Sequence, residues 1–327
     1  MLYLFIINFL KMKQLKSFFS GIVVVSSLLI TLASCEKKEA FEKETGEVSE
    51  DTKNIQSCID AVMNEVNGVF SEKNEFYGRS DFTGAYKDSI CGVEIDKAQK
   101  DLGIIVFNFD GKSNCSNRIR SGKIELSLQN YSSGKRWSDE NASIQVMFID
   151  FKVTEENEGK NHVFNGLSNL KNISGGNAAW LVSGLQNQLI QDLTGNDILV
   201  QSKEGESIIF SLSRRYTHSF KNKVYQIEGE GTGTNNGRSN LESWGTTRDG
   251  DNFTSQILET VLWNSVCGHL KPIKGKFDIK VDKKDFNFIT TLGVDENGNI
   301  MNSGCPWGLK VEWTFKNKAG SKLFEYQ

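Results

Sequence analysis

The feature that most restricts the fold is a two-residue alternation that recurs from about residue 103 to the end of the chain. In Gly122-Lys123-Ile124-Glu125-Leu126-Ser127-Leu128, one side is apolar and the other polar. Near the other end, Leu309, Val311, Trp313 and Phe315 alternate with Lys310, Glu312 and Thr314. Period two is the spacing of side chains on one face of a β-strand. The stretches are separated by turn chemistry, with 30 Gly and many Asn, Asp and Ser against only 2 Pro. Proline removes a ladder donor, whereas glycine and asparagine tolerate tight-turn conformations. The pattern predicts strands over 103–109, 122–128, 143–153, 197–201, 207–213, 224–230, about 253–263, 274–281, 285–292 and 309–315. Shorter pieces fall at 164–166 and 170–174. The expected fold class is mostly β: a large antiparallel sheet (meander, sandwich or open barrel) with an N-terminal helix and one internal helix.

The two helices follow from a change of period. Ile55, Ile59, Val62, Val66 and Phe70 recur at steps of four, three, four and four, with Met63 and Val69 beside them, which makes one helical stripe. Asp51 or Thr52 is placed to cap it. Between Asn177 and Leu193, Trp180, Leu181, Leu185, Leu189 and Ile190 keep roughly helical spacing, although Gly184 weakens the prediction.

The first 34 residues read as an export signal. Lys13 and Lys16 precede an uncharged run from Ser17 to Ser34 with an apolar centre and small residues at its end. The run has about the length of a short membrane span, so a retained anchor is the competing reading. Met12 opens a signal of ordinary length by itself and reads as the true start. The run ends in Leu32-Ala33-Ser34-Cys35, which resembles the lipobox of bacterial lipoproteins. The resemblance implies that Cys35 is acylated and becomes the first residue after cleavage. Two or three acyl chains on one cysteine suffice for stable anchoring. Glu36-Lys37-Lys38-Glu39 resembles the tether of Bacteroidota-type lipoproteins, which implies an outer-membrane location facing the cell surface, with the periplasm as the alternative. The expected organisation is 1–34 signal peptide, 35–52 tether and 53–327 β-rich ectodomain, one domain or two similar halves.

The whole chain of 327 residues has a formal net charge of −3. Loss of the signal removes Lys11, Lys13 and Lys16 and no acid, leaving −6. Mild acidity gives no basic face for nucleic acid, and none is expected as a partner. Of the six cysteines, Cys35 is assigned to lipid, which leaves Cys58, Cys91, Cys115, Cys267 and Cys305. An exported chain permits disulfides, and five thiols suggest two pairs and one left over. Cys91 and Cys267 each precede strands and a turn that lead to a second cysteine, Cys115 and Cys305, and then to an alternating strand. This echo predicts Cys91–Cys115 and Cys267–Cys305, clipping equivalent units near the two ends of a sheet. Cys58, on the edge of the helical stripe, reads as a small buried residue.

Phe107-Asn108-Phe109-Asp110-Gly111, Cys115 and Arg118-Ile119-Arg120-Ser121-Gly122-Lys123-Ile124 together resemble a group of Bacteroidota exported lipoproteins, as do Tyr225–Thr232 and Cys267–Gly275. That resemblance carries fold and location and no activity.

Motifs that carry chemistry are sparse. His162, His218 and His269 are scattered and read as strand or loop residues. The Gly-rich run 229–234 reads as a hairpin, since no helix follows it. Asp249-Gly250-Asp251-Asn252 and Asp295-Glu296-Asn297-Gly298-Asn299 offer oxygen ligands but lack a closing Glu at loop spacing, so they read as turns. No metal and no cofactor are expected. Asp88-Ser89-Ile90 resembles a Bacteroidota O-glycosylation site at Ser89. Trp137, Trp244 and Trp307 lie near loops and are candidate exposed aromatics for stacking on a glycan, with local packing as the competing reading. The expected function is a membrane-anchored, non-enzymatic binding or envelope-structural lipoprotein. Its partners would be the bilayer through Cys35 and a glycan or an envelope protein. A glycan-active enzyme and a periplasmic carrier of an apolar ligand are the alternatives.

Overall fold

The computed structural model describes residues 48, 51, 52, 54–70, 90–115, 118–155, 160–202, 205–268, 271–282, 286–315 and 318–326. Contacts divide the chain into two units, Met1–Asp51 and Thr52–Gln327, and the second carries the long helix, the sheet and the cleft. Cys35, Ser89, His269, the signal and most of the expected 35–52 tether lie outside the described residues; of that tether, residues 48, 51 and 52 are described and are helical. Asp51 and Thr52, expected to cap the first helix, are themselves helical.

Residues 54–70 form helix α1. The strands are β1 (Val93–Asp96), β2 (Ile104–Cys115), β3 (Arg118–Leu128), β4 (Ala142–Glu155), β5 (Lys160–Asn172), β6 (Leu189–Ser202), β7 (Ser207–Lys221) and β8 (Val224–Gly231). They continue as β9 (Gly233–Asn235), β10 (Arg238–Thr246), β11 (Asn252–Asn264), β12 (Lys274–Val281), β13 (Phe286–Val294), β14 (Gly308–Phe315) and β15 (Lys318–Glu325). All belong to one antiparallel sheet that follows chain order except around β8. There, β8 runs beside the far half of β7, from Lys221↔Val224 to Arg214↔Gly231. The end of β10 then continues the same track, from Leu212↔Ser243 to Ile209↔Thr246. One strand position is thus filled by two segments, with the intervening residues 232–242 looped out through β9 and the start of β10. The hairpin expected at 229–234 is therefore a strand end and a bend, and the tight turn comes later, at Asn236-Gly237.

The sheet is bent by paired bulges. Between β4 and β5 the register shifts from Phe148↔Gly166 to Phe151↔Phe164, and between β6 and β7 from Gly195↔Leu212 to Ile198↔Phe210. Each bulge holds an Asp in the left-handed region, Asp150 at φ 48° and Asp197 at φ 51°. An extra residue leaves its N–H without a ladder partner. Here the opposing side chain supplies one: the Asp150 N–H donates to Asn165 Oδ1 at 2.8 Å and the Asp197 N–H to Ser211 Oγ at 2.9 Å. Beside the first bulge Gly122 sits at φ 87°, and a Cβ there would collide with the Asp150 carbonyl. Such bulges add twist and curl a sheet.

The sheet curls around α1. Five inter-strand steps separate β3 from β10, about 24 Å in a flat sheet. Yet neighbouring residues of α1 reach both: Arg118 of β3 donates to Ser57 Oγ at 3.2 Å, and Gln56 donates to Glu242 of β10. The helical stripe read from sequence, Ile55, Ile59, Val62, Val66 and Phe70, is fully buried. Each such side chain contributes about 1.5–3 kcal/mol. Buried with it are Ile105, Phe107, Ile124, Leu126, Ile144, Val146 and Phe164 of the sheet. Phe151 joins Phe109 at 4.9 Å and Phe164 at 5.9 Å between ring centres. On the β3 side, Arg120 grips both carboxylate oxygens of Glu65, at 2.8 and 2.9 Å, and lies over the Phe109 ring.

The internal helix predicted over 177–193 is much shorter. Only α2 (Ala178–Val182) forms, with the Asn177 side chain accepting from the Trp180 N–H at its start. Leu189 and Ile190 instead open β6, because His218 and Thr217 of β7 pair with them. Tertiary pairing overrides a weak helical spacing there.

Both predicted disulfides form, Cys91–Cys115 and Cys267–Cys305, with Cα atoms 5.9 and 5.2 Å apart. They are not equivalent. The first closes the β1–β2 pair, whereas the second ties the end of β11 to the approach of β14, across β12 and β13. Among the described residues no helix is long and apolar enough to cross a membrane.

Candidate functional site

The site lies where the inner face of β7 changes character. Even-numbered residues of β7 point inward. Ile208, Phe210 and Leu212 come first, all buried, followed by Arg214, Tyr216 and His218. The polar half faces the side of α1 that carries Gln56, Asp60, Asn64 and Asn67. These helix positions are spaced by four, four and three, a second stripe beside the apolar one.

Arg214 is the hub. It contacts Asp60 Oδ1 of α1 at 3.0 Å and Glu242 Oε2 of β10 at 2.7 Å. The Tyr216 hydroxyl donates to the same Asp60 oxygen at 2.7 Å. Glu242 is 1% exposed, and its other oxygen accepts from Ser255 Oγ at 2.8 Å and from Ser243 Oγ at 3.1 Å. Burial by itself would lower the Arg214 pKa, but the Glu242 carboxylate, with Tyr216 and Asp60, reverses this and raises it. Tyr216 is held well above the usual phenol range, by burial first and by the Asp60 charge second. The cluster fastens helix to sheet with every charge facing an opposite one. A buried charge is tolerated only when so paired.

Beside the cluster opens a cleft of about 440 Å³, solvent at its mouth included, between α1 and strands β5 to β8 and β11. One wall is amide: Asn67 of α1 and Gln191 of β6 exchange two hydrogen bonds, at 3.0 and 2.8 Å. Next to Gln191 on the sheet, its register partner Tyr216 begins an aromatic group. Trp263 of β11 stands 6.2 Å from Tyr216 between ring centres, and Tyr216 stands 6.5 Å from His218. The Trp263 ring lies across Gly229 of β8, where a Cβ would come within 2.8 Å of it, so the glycine makes the slot for the indole.

His218 is the anomaly of the cleft. It is 7% exposed. Its Nδ1 is 3.0 Å from the Tyr225 hydroxyl, while its Nε2 is buried and has no hydrogen-bond partner. Burial pushes its pKa down to about 4. Tyr225 is raised, also by burial. Buried side-chain polar atoms normally have partners; among the described residues that line the cleft, His218 Nε2 is the one that has none.

The other residues singled out by sequence scatter. Trp137, a candidate exposed aromatic with local packing as the competing reading, is fully buried, and its carbonyl accepts from buried Asn172 at 2.8 Å. Trp244 and Trp307 are half-buried and on different strands or loops from the cleft, so the three do not form a platform. Trp244 lies over Gly233 as Trp263 lies over Gly229. Cys58 is buried as expected, and burial pushes its thiol up to about 11. His162 is buried on β5. Asp295 closes its own turn, its Oδ1 accepting from the N–H groups of Asn297 and Asn299 at 2.9 and 2.8 Å. Among the described residues no three His, Cys, Asp or Glu side chains gather as metal ligands. The cleft residues Asp60, Tyr216, Gln191 and Trp263 belong to no motif that sequence reading picks out; the one signal is the helical spacing of Asp60, Asn64 and Asn67.

Compared with family models, curated proteins and solved structures, the chain finds no match.

Proposed function

We propose that this chain is an exported, lipid-anchored binding protein. Cys35 carries the acyl chains, the tether follows, and the curled sheet presents the α1–β7–β11 cleft to a small ligand at the outer membrane, facing the cell surface. The observation that supports a binding role is the cleft's composition: half-buried aromatic rings, a wall of amides and one buried nitrogen left open. Small-molecule sites are concave and mostly apolar, with a few placed polar groups.

The carrier reading calls for a broad apolar trough under the sheet. α1 fills that space with Ile55, Ile59, Val62, Val66 and Phe70. The enzyme reading calls for two carboxylates facing each other across a gap wide enough for substrate. The two carboxylates nearest the cleft, Asp60 and Glu242, both close on Arg214. Both alternatives lose support on these grounds.

Two experiments test the anchoring half. Cys35→Ser is expected to move the protein from the membrane fraction to the soluble one, and unchanged membrane retention would refute lipidation. Protease shaving of intact cells is expected to digest the wild-type protein. Full protection would place it on the periplasmic side instead.

A further inference from the structure

We infer that the cleft takes a neutral, hydroxyl-bearing ring, the terminal residue of an uncharged glycan, with one face on Trp263 and a hydroxyl on His218 Nε2. This rests on the reading of the cleft as a binding site and names what it binds.

Three observations carry the inference. The first is charge. Asp60 is the acid on the cleft wall, and Arg214 meets it at 3.0 Å while Tyr216 donates to it. Among the described residues that line the cleft, this leaves no open cation for an anionic ligand and no open carboxylate for a cationic one. The second is the pairing of rings with amides. Trp263 and Tyr216 line the cleft with rings, and beside them Asn64, Asn67 and Gln191 line it with amides, Gln191 being the register neighbour of Tyr216. An acyl chain has no use for amides. A sugar has apolar C–H faces for the rings and hydroxyls around its edge for the amides. The third is His218 itself, a ring that lines the cleft. With Nδ1 committed to Tyr225, buried Nε2 is a donor in one tautomer and an acceptor in the other, and a hydroxyl that displaces the ring slightly to reach it can answer either.

Gly229 bears on the same point. Its missing side chain admits the indole over β8 and holds the ring at the edge of the cleft. The ring is half-buried there.

The test uses the purified full-length chain, titrated with cellotetraose, mannotetraose and the tetramer of N-acetylglucosamine. Tetragalacturonate serves as an anionic control and N-phenyl-1-naphthylamine as a neutral apolar probe. Tryptophan fluorescence and calorimetry report binding. At least one neutral saccharide is expected to bind saturably and tetragalacturonate not to bind. Trp263→Ala is expected to weaken binding by up to about tenfold and Trp263→Phe to keep most of it, since a stacked ring is worth up to about that factor. His218→Gln puts an amide donor and acceptor in place of the imidazole nitrogens and should bind within a few-fold, whereas His218→Leu should not. If Trp263→Ala loses its fold by circular dichroism, Gly229→Ala displaces the indole while retaining it, and should weaken the same saccharide. Naphthylamine binding that depends on Trp263, with no saccharide bound, would overturn the glycan assignment and leave the binding cleft standing. Silence from every probe would overturn both.

Discussion

Arg214 of β7 reaches across the concave face to Asp60 of α1 at 3.0 Å, and this contact fixes the helix against the sheet beside the cleft. The same guanidinium holds Glu242 at 2.7 Å. Removing it would leave Glu242 buried and Asp60 half-buried with no counter-charge. Arg214→Met is therefore expected to destabilise the fold by about 3–5 kcal/mol, the usual cost of orphaning a buried charge. For a unit of this size that corresponds to a fall in Tm on the order of 10 °C. Thermal melts followed by circular dichroism would show it. Arg214→Met with Glu242→Gln should recover part of the loss, and a double variant no better than the single one would contradict the pairing.

His218 makes stability depend on pH. Its native pKa is pushed down to about 4, against an ordinary value of 6.5. Above 6.5 the imidazole is neutral in both folded and unfolded chains and contributes no pH dependence. Between 6.5 and 4 the unfolded chain takes up a proton that the folded one refuses, so stability falls as pH falls. The loss over that window is about 3 kcal/mol, and it levels off below pH 4. His218→Gln should flatten this part of the curve. Other groups titrate in the acid range as well: Glu65 is raised by burial and gains folded-state stability as it protonates, which works in the opposite direction. The comparison of wild type with His218→Gln isolates the histidine from these. Identical slopes in the two proteins would rule out a buried neutral His218.

The sheet is legible from its alternation, but its most informative places are those where alternation breaks. Ser143–Val153 looks apolar on both faces. The reason is the Asp150 bulge, which flips the parity so that Phe148 and Phe151 both point inward. The same happens in β6, where Leu193 and Ile198 share the inner face across the Asp197 bulge. Apolar alternation in β7 stops at Ser213 because its inner face turns polar at Arg214. The strand in fact runs to Lys221. No local rule announces that Arg214, Tyr216 and His218 face inward, since their partners Asp60 and Tyr225 lie on α1 and β8. The cleft is hidden in the sequence for that reason: its residues look like a solvated strand until the helix is placed against them.

The thiols give a count that joins the two ends of the chain. In the Cys35→Ser variant five cysteines remain, four of them in the disulfides and the fifth, Cys58, buried with its pKa pushed up to about 11. A buried thiol of that kind is inert, because the thiolate is the reactive species. A disulfide-exchange reagent at pH 8 should therefore titrate no thiol in the native protein, one in guanidinium, and five after reduction. Fast labelling of Cys58 in the native state would mean that α1 opens readily. Reduction itself should cost roughly 3–4 kcal/mol per bridge for loops of 24 and 38 residues.

Trp137 provides the sharpest test of the packing beneath the β5 end of the sheet. It lies in a segment of turns between β3 and β4, a candidate exposed ring by sequence with local packing as the competing reading, and it is fully buried. Its carbonyl accepts from Asn172, itself buried, whose amide also donates to the Gly176 carbonyl at 3.0 Å. Trp137→Ala should cost about 3–5 kcal/mol, as for other large aromatic residues removed from a core. Trp137→Phe leaves part of the volume filled and should cost clearly less. Denaturant melts of the two variants would measure the difference. Equal and small effects would return Trp137 to the surface and reopen it as a candidate glycan contact.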